Sequence, residues 1–182
     1  MGCRWLRTCS SVTSKRPRPT RCGWPRPPGT WSLRFRRITY VRTREGWLYL
    51  AAVLDVYSRK IVGWAMDRHM GRQLCIDALE MAVLNRQPPE GLVHHSDRGS
   101  QYASGDYQAV LDEYDMTCSM SRKGDCWDNA PMESFFGTLK SESLHRYAFA
   151  TRNAARREIF DYIEIFYNRK RKHSALEFTS PA

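Results

Sequence analysis

The sequence contains no apolar run of about 18 residues, so nothing in it reads as a membrane-spanning helix. Met1 to Thr30 has no apolar segment of the kind a secretory signal needs. The six cysteines, at 3, 9, 22, 75, 118 and 126, form no Cys-x-x-Cys pair. The five histidines, at 69, 94, 95, 145 and 173, show no metal-finger spacing. These absences argue against a zinc module and for reduced thiols in a cytoplasmic protein. Acid is the next shortage. Residues 1–37 hold ten Lys and Arg and no Asp or Glu. The net charge of +10 therefore sits wholly in that stretch, and the rest balances 19 basic against 19 acidic side chains. High overall basicity thus says little about whether the folded part binds nucleic acid.

What is present in residues 1–36 has no rhythm. Five of the nine prolines lie there, at 17, 19, 25, 27 and 28, with Trp, Cys and Arg scattered among them. Neither a 3.6-residue nor a 2-residue apolar period survives. Two readings stand. The leader is a disordered basic arm that grips phosphates, or it is an out-of-frame product of GC-rich DNA. Residues 37–182 are expected to form one folded domain with its own core.

From Ile38 the pattern is orderly. Ile38 to Val41 reads as a strand, and Arg42 to Gly46 holds a turn. Trp47 to Leu54 is an almost unbroken apolar run, as in a strand covered on both faces. Lys60 to Met66 is a third strand. Gly71 to Arg86 is a helix with Leu74, Cys75, Ala78, Leu79 and Ala82 on one side. A strand over Leu92 to Ser96, a helix near Gly105 to Tyr114 and a strand over Met116 to Met120 follow. The order implies an α/β protein with a mixed sheet flanked by helices. The last helix starts after Thr151, a suitable N-cap. Its buried stripe is Ala155, Ile159, Tyr162, Ile163 and Phe166.

The chemistry concentrates between Leu92 and Lys140. The strand ending at Ser96 delivers Asp97, and Arg98-Gly99-Ser100 turns the chain away. A later helix carries Glu133, with 35 residues between the two acids. Carboxylates held close together on rigid mounts need a cation. Mg²⁺ suits them, because it takes oxygen ligands and keeps waters for phosphate oxygens, and a pair of such ions serves phosphoryl transfer. Glu133, Gly137 and Lys140 share one helix face, while Phe135 and Phe136 point elsewhere and anchor the helix. Lys140 is either a DNA phosphate contact or part of a solvated face. Arg122 to Asn129 suits a mobile loop. Arg169, Lys170, Arg171, Lys172 and His173 cluster beside aromatics, which suits a phosphate backbone or, equally, a solvated helix end favoured by the dipole.

Ser96-Asp97-Arg98-Gly99-Ser100-Gln101-Tyr102, the 35-residue gap and Glu133-Ser134-Phe135-Phe136 resemble the integrase catalytic core of bacterial insertion-sequence transposases. Further matching blocks are Gly46-Trp47-Leu48-Tyr49-Leu50, Asp55-Val56-Tyr57-Ser58-Arg59-Lys60, Ser119-Met120-Ser121-Arg122-Lys123-Gly124 and Tyr167 to Leu176. The resemblance runs from Ile38 to Ala182. It implies a ribonuclease H-like fold with a five-stranded mixed sheet, and Asp97 and Glu133 as catalytic, metal-binding residues with Mg²⁺ or Mn²⁺. It implies DNA as partner, both insertion-sequence ends and target, in a bacterial cytoplasm. Arg122, Lys123, Lys140, Arg169, Arg171 and Lys172 are the candidate DNA contacts. A homo-oligomer in the active state and a separate upstream DNA-binding domain are also expected from it.

One acid of the family's triad is missing. The family carries Trp-x-x-Asp-Ile-Thr-Tyr on its first strand, and here Arg37 precedes Ile38-Thr39-Tyr40. A guanidinium there opposes a cation and can pair with Asp97 instead. Asp55 is a possible substitute ligand, or it closes its strand and supports the turn into Ser58-Arg59. If Arg42 pairs with Trp47, position 37 faces Ala52 and Asp55 lies on the other face, unless the register changes by one. The expected function is thus a transposase core for Mg²⁺-dependent strand cleavage and strand transfer, made defective by Arg37. The alternatives are a non-catalytic fold that at most binds DNA or a transposase partner, and a ribonuclease H-type nuclease.

Overall fold

A tight hairpin sets the sheet. Thr43 pairs with Gly46 and Arg42 with Trp47, so the strands over Thr39–Thr43 (β2) and Gly46–Asp55 (β3) run antiparallel. Gly46 takes φ +115°, which a side chain rarely adopts, and the Thr43 hydroxyl donates to its carbonyl at 2.7 Å. The computed structural model describes residues 32–35, 38–88, 91–96, 99, 101–120 and 130–181. The other strands are Ser32–Phe35 (β1), Ile61–Asp67 (β4), Val93–Ser96 (β5) and Thr117–Met120 (β6). The helices are Arg72–Arg86 (α1), Gly105–Glu113 (α2), Ala130–Glu142 (α3) and Arg152–Phe160 (α4). No helix among the described residues is long and apolar enough to cross a membrane.

Among the described residues, six strands fill five positions. β1 and β2 both pair antiparallel with β3, β1 with its far end and β2 with its near end. β4 lines the other side of β3, again antiparallel. β5 is parallel to β1, and β6 is parallel to β5. The expected five-stranded mixed sheet is therefore present, with its central position shared by two segments. This corrects the leader boundary: Ser32–Phe35 lies within the stretch expected to lack structure, yet it is paired on both sides. The reason is that β3 extends to Asp55, beyond the reach of β2. Its last residues offer backbone groups that any neighbouring chain can satisfy, whatever its side-chain pattern.

The apolar run of β3 is buried on both faces, as its composition predicts. Ala51 and Val53 pack with Leu74, Ala78 and Leu79 of α1 and with Tyr107 and Leu111 of α2. Leu48, Leu50, Ala52 and Leu54 pack with Met132, Phe135 and Leu139 of α3 and with Ala155 and Ile159 of α4. At Gly63 of β4, a Cβ would lie 2.2 Å from the Ala78 carbonyl oxygen, so only glycine lets α1 approach this closely.

Thr151 caps α4 as expected, its hydroxyl accepting from the Ala154 N–H at 3.1 Å. Beyond Phe160 the helix continues as a π-helix over Asp161–Tyr167. This changes the buried stripe. Ala155, Ile159, Tyr162 and Ile163 are buried, but Phe166 is 41% exposed and Tyr167 and Asn168 turn inward instead. A wider turn rotates each later residue backward around the axis, so a 3.6-residue stripe fails there. Asn168 then reaches the sheet. Its carboxamide accepts from the Ile61 N–H at 2.9 Å and donates to the Ile61 carbonyl at 3.0 Å.

Candidate active site

α3 mounts Glu133 firmly. Met132, Phe135, Phe136 and Leu139 are buried beneath it, and Phe135 meets the Tyr167 ring edge to face at 4.9 Å. The opposite face carries Glu133, Gly137 and Lys140, as the spacing predicts. Glu133 is exposed and sits in the first turn, where the helix dipole favours a carboxylate. Between it and Lys140, a Cβ at Gly137 would meet nothing within 4 Å, so internal packing does not demand that glycine.

The strand before Asp97 is equally constrained. Ser96 and His94 are wholly buried. The Tyr107 hydroxyl lies 3.0 Å from His94 Nε2, and burial, with a smaller effect of His95, lowers the His94 pKa to about 3. The buried His94 is thus held neutral. The parallel register of β5 with β1, Leu33 beside His94 and Arg34 beside His95, brings the C-terminal ends of the two strands level. Of the residues that sequence reasoning singled out, Arg37, Asp97, Arg122 and Lys123 lie outside the described residues.

Asp55 is placed clearly. Its Oδ2 accepts from Arg86 Nη2 at 2.7 Å and from the Ser58 hydroxyl at 2.7 Å, and its Oδ1 accepts from the Tyr57 N–H at 3.0 Å. It opposes Leu33 at the end of β3 and is buried toward α1. Glu133 rides on the helix that packs against the other face. Arg42 does pair with Trp47, but the register shifts by one between the two pairings, from Thr39 opposite Leu50 to Phe35 opposite Val53. Even so, the partners of Asp55 are those expected of a residue that closes its strand and supports the turn. Among the described residues, no three His, Cys, Asp or Glu side chains gather as a metal cluster.

The cationic candidates divide. Arg169 and Lys172 are exposed. Arg171 instead gives Nε and Nη2 to Glu142, at 3.1 and 3.0 Å, and Glu142 also accepts from the Tyr162 hydroxyl at 2.7 Å. Burial alone would raise the Glu142 pKa, but these bonds, with the charges of Arg171 and Arg146, bring it below the usual value. Arg171 thus ties the end of the π-helix to α3, a task no sequence period signals. Lys140 is half-buried, with Nζ 5.3 Å from the Tyr40 ring centroid. Sequence reasoning missed this contact, since the two residues lie on separate elements.

Comparison with known proteins agrees with this arrangement. An integrase core domain model matches residues 25–126, and a second integrase core domain model matches residues 114–181. An insertion element IS600 uncharacterized 31 kDa protein from Shigella sonnei is 56% identical over 145 residues, 80% of this chain and 53% of its own length. Transposase InsF for insertion sequence IS3A, from Escherichia coli strain K12, is 51% identical over 144 residues, 79% of this chain and 50% of its own. The chain thus spans about half the length of these curated relatives. Among solved structures, the HTLV-2 integrase catalytic core domain in complex with magnesium superposes with a TM-score of 0.63 at 14% identity, covering 84% of this chain and 94% of that one. The catalytic domain of Mos1 mariner transposase gives a TM-score of 0.59 at 8% identity, covering 74% and 70%. The fold is ribonuclease H-like, as expected, and the chain belongs to the integrase core domain family.

Proposed function

We propose that this chain is the catalytic core of a DNA transposase in which Asp97 and Glu133 are the reacting-site acids. The observation that carries this is the exposed placement of Glu133 on a rigid helix, with the smooth Gly137 surface leading to Lys140. The donor set is two carboxylates, which suits hard divalent ions; Mg²⁺ or Mn²⁺ held there would supply positive charge for phosphate oxygens. In line with that chemistry, the oxygen of water or of a DNA 3′-hydroxyl forms a bond to phosphorus as the bond to the leaving oxygen breaks. Lys140 and the exposed Arg169 and Lys172 hold phosphates, with Arg122 and Lys123 as further contacts. DNA ends and target are the substrates, in a bacterial cytoplasm. The active form is a homo-oligomer working with a separate upstream DNA-binding part.

The chain as written is defective in this reading, because Arg37 stands where the family pattern has Asp. That same substitution supports the second reading, a non-catalytic fold that binds DNA. The test is Mg²⁺- or Mn²⁺-dependent cleavage of matched DNA ends by the original chain, by Arg37→Asp, and by Arg37→Asp with Glu133→Gln. Cleavage only by Arg37→Asp, lost again with Glu133→Gln, is expected. Robust cleavage by the original chain would refute the defect. DNA binding without cleavage by any of the three favours the second reading.

A further inference from the structure

Ile61 and Asn168 clasp each other through two hydrogen bonds, at 2.9 and 3.0 Å. Lys60 precedes Ile61 and Arg169 follows Asn168, so the clasp brings together cations from the β3–β4 turn and from the end of the π-helix. Arg59 joins them: burial lowers the His173 pKa, and the charges of Arg171 and Arg59 lower it further. Arg171 is taken up by Glu142, but among the described residues Arg59, Lys60, Arg169, Lys170 and Lys172 enter no ion pair. Of the nearby acids, Glu142 holds Arg171, and Glu164 accepts from the Trp64 indole N–H at 2.8 Å. That leaves the exposed Glu177 against these unpaired cations.

A loop beside the cations displays an aromatic ring. The Phe178 N–H donates to the His173 carbonyl at 2.9 Å, and the His173 N–H to the Thr179 carbonyl at 3.0 Å. The Leu176 carbonyl accepts from the Thr179 N–H at 3.0 Å and from the Thr179 hydroxyl at 2.7 Å. The His173 ring seats the loop on the core, meeting Tyr167 edge to face at 4.9 Å. So held, Glu177 takes φ +53° and Phe178 φ +62°, a left-handed backbone that is costly for residues with a Cβ. The Phe178 ring is 69% exposed on this fixed mount.

A ring so exposed projects instead of lining a hollow. Flanked by cations, it suits a stacked polyanion: phosphates take the charges while the ring enters a base step from the minor groove. An acidic protein surface has no such step to open. Leu33 pairs with both Asp55 and His94, so the β3–β4 turn lies at the end of the sheet where β5 begins, away from Ser96. We infer that this end of the molecule docks a second stretch of duplex DNA, apart from the reacting end, with Phe178 as a wedge between two base pairs. Arg59, Lys60, Arg169 and Lys172 hold the flanking phosphates. The inference rests on the proposed function for its ligand, DNA, and not on the reactivity of Asp97 or Glu133.

The test uses the full chain, without divalent metal, on a duplex of arbitrary sequence carrying 2-aminopurine at its TA steps, which kink readily. Unstacking raises the fluorescence of that base, and the original chain is expected to raise it severalfold. Phe178→Ala should abolish the rise and weaken binding about tenfold, whereas Phe178→Tyr should keep both. Arg59→Gln with Lys172→Gln should reduce the salt slope by about two. DNA bound with no rise, a rise that survives Phe178→Ala, or a salt slope unmoved by the charge variant overturns the inference. So does poly-glutamate bound as tightly as DNA and indifferent to Phe178→Ala, which reassigns the surface to an acidic protein. Absence of DNA binding overturns it as well. The transposase reading has its own readout, metal-dependent cleavage by Arg37→Asp: a fluorescence rise lost in Phe178→Ala, with no cleavage, sinks that reading and supports this one.

Discussion

Asp55 and Arg86 lie 2.7 Å apart, joining the end of β3 to the last turn of α1, on the sheet face opposite the Glu133 helix. Asp55 is nearly inaccessible, with 2% of its side chain exposed against 25% for Arg86. This pair is a structural clamp. Asp55→Ala removes the acceptor for Arg86, Ser58 and the Tyr57 N–H and should cost about 3 kcal/mol in a urea titration. In an Arg37→Asp background, Asp55→Asn should leave the metal dependence of cleavage unchanged. A selective loss of metal-dependent cleavage at unchanged stability would sink the clamp assignment.

The deepest histidine makes stability depend on pH. His94 has a folded pKa of about 3, below the ordinary value of 6.5. Between those values the unfolded chain binds the proton and the folded chain does not. The stability His94 retains is therefore complete above pH ~6.5 and falls with acidification, by about 1.4 kcal/mol per pH unit. His173, also lowered by burial and by Arg171 and Arg59, shifts the curve in the same direction. Denaturant melts between pH 4.5 and 6.5 should show this slope, and His94→Gln should flatten most of it. An unchanged slope in that variant would assign the acid sensitivity elsewhere.

Ser32–Phe35 is the strand that joins β3 to β5, and through β5 to β6. A truncation ending before Ser32 should leave melting cooperative. One ending after Phe35 should cost ~3 kcal/mol or more, at ~1 kcal/mol per lost hydrogen bond, and should expose β5 amides to hydrogen exchange. Equal melting of the two truncations would show that β1 is dispensable.

Gly63→Ala should be among the most damaging small substitutions. The added methyl meets the α1 backbone at Ala78 and Ala82 rather than the tip of a flexible side chain. Overpacking of this kind costs about 3 kcal/mol. A thermal shift close to zero would mean that α1 moves away freely.

Asn168→Leu should cost about 2 kcal/mol, because both backbone groups of Ile61 lose their side-chain partner in a buried place. Asn168→Asp keeps the acceptor for the Ile61 N–H but loses the donor, and should also destabilise. Equilibrium unfolding separates these outcomes from a neutral surface position.

Much of this protein was legible in the residue order. The unbroken apolar run of Trp47 to Leu54 announces a strand covered on both faces, and α1 and α3 pack on those faces through the residues their helical period selects. Thr151 marks its helix start, and the spacing of Glu133, Gly137 and Lys140 marks one exposed face. These are local properties: a period of two or 3.6 states which side of an element is buried. What the period cannot state is which distant group meets which. Tertiary structure alone paired Ser32–Phe35 with β3 and β5, since backbone pairing needs no side-chain pattern. It gave Arg171 to Glu142 and Asp55 to Arg86, ion pairs set by the docking of whole helices. It also exchanged Phe166 for Tyr167 in the core, because a π-helical segment breaks the 3.6-residue count on which the sequence expectation rests.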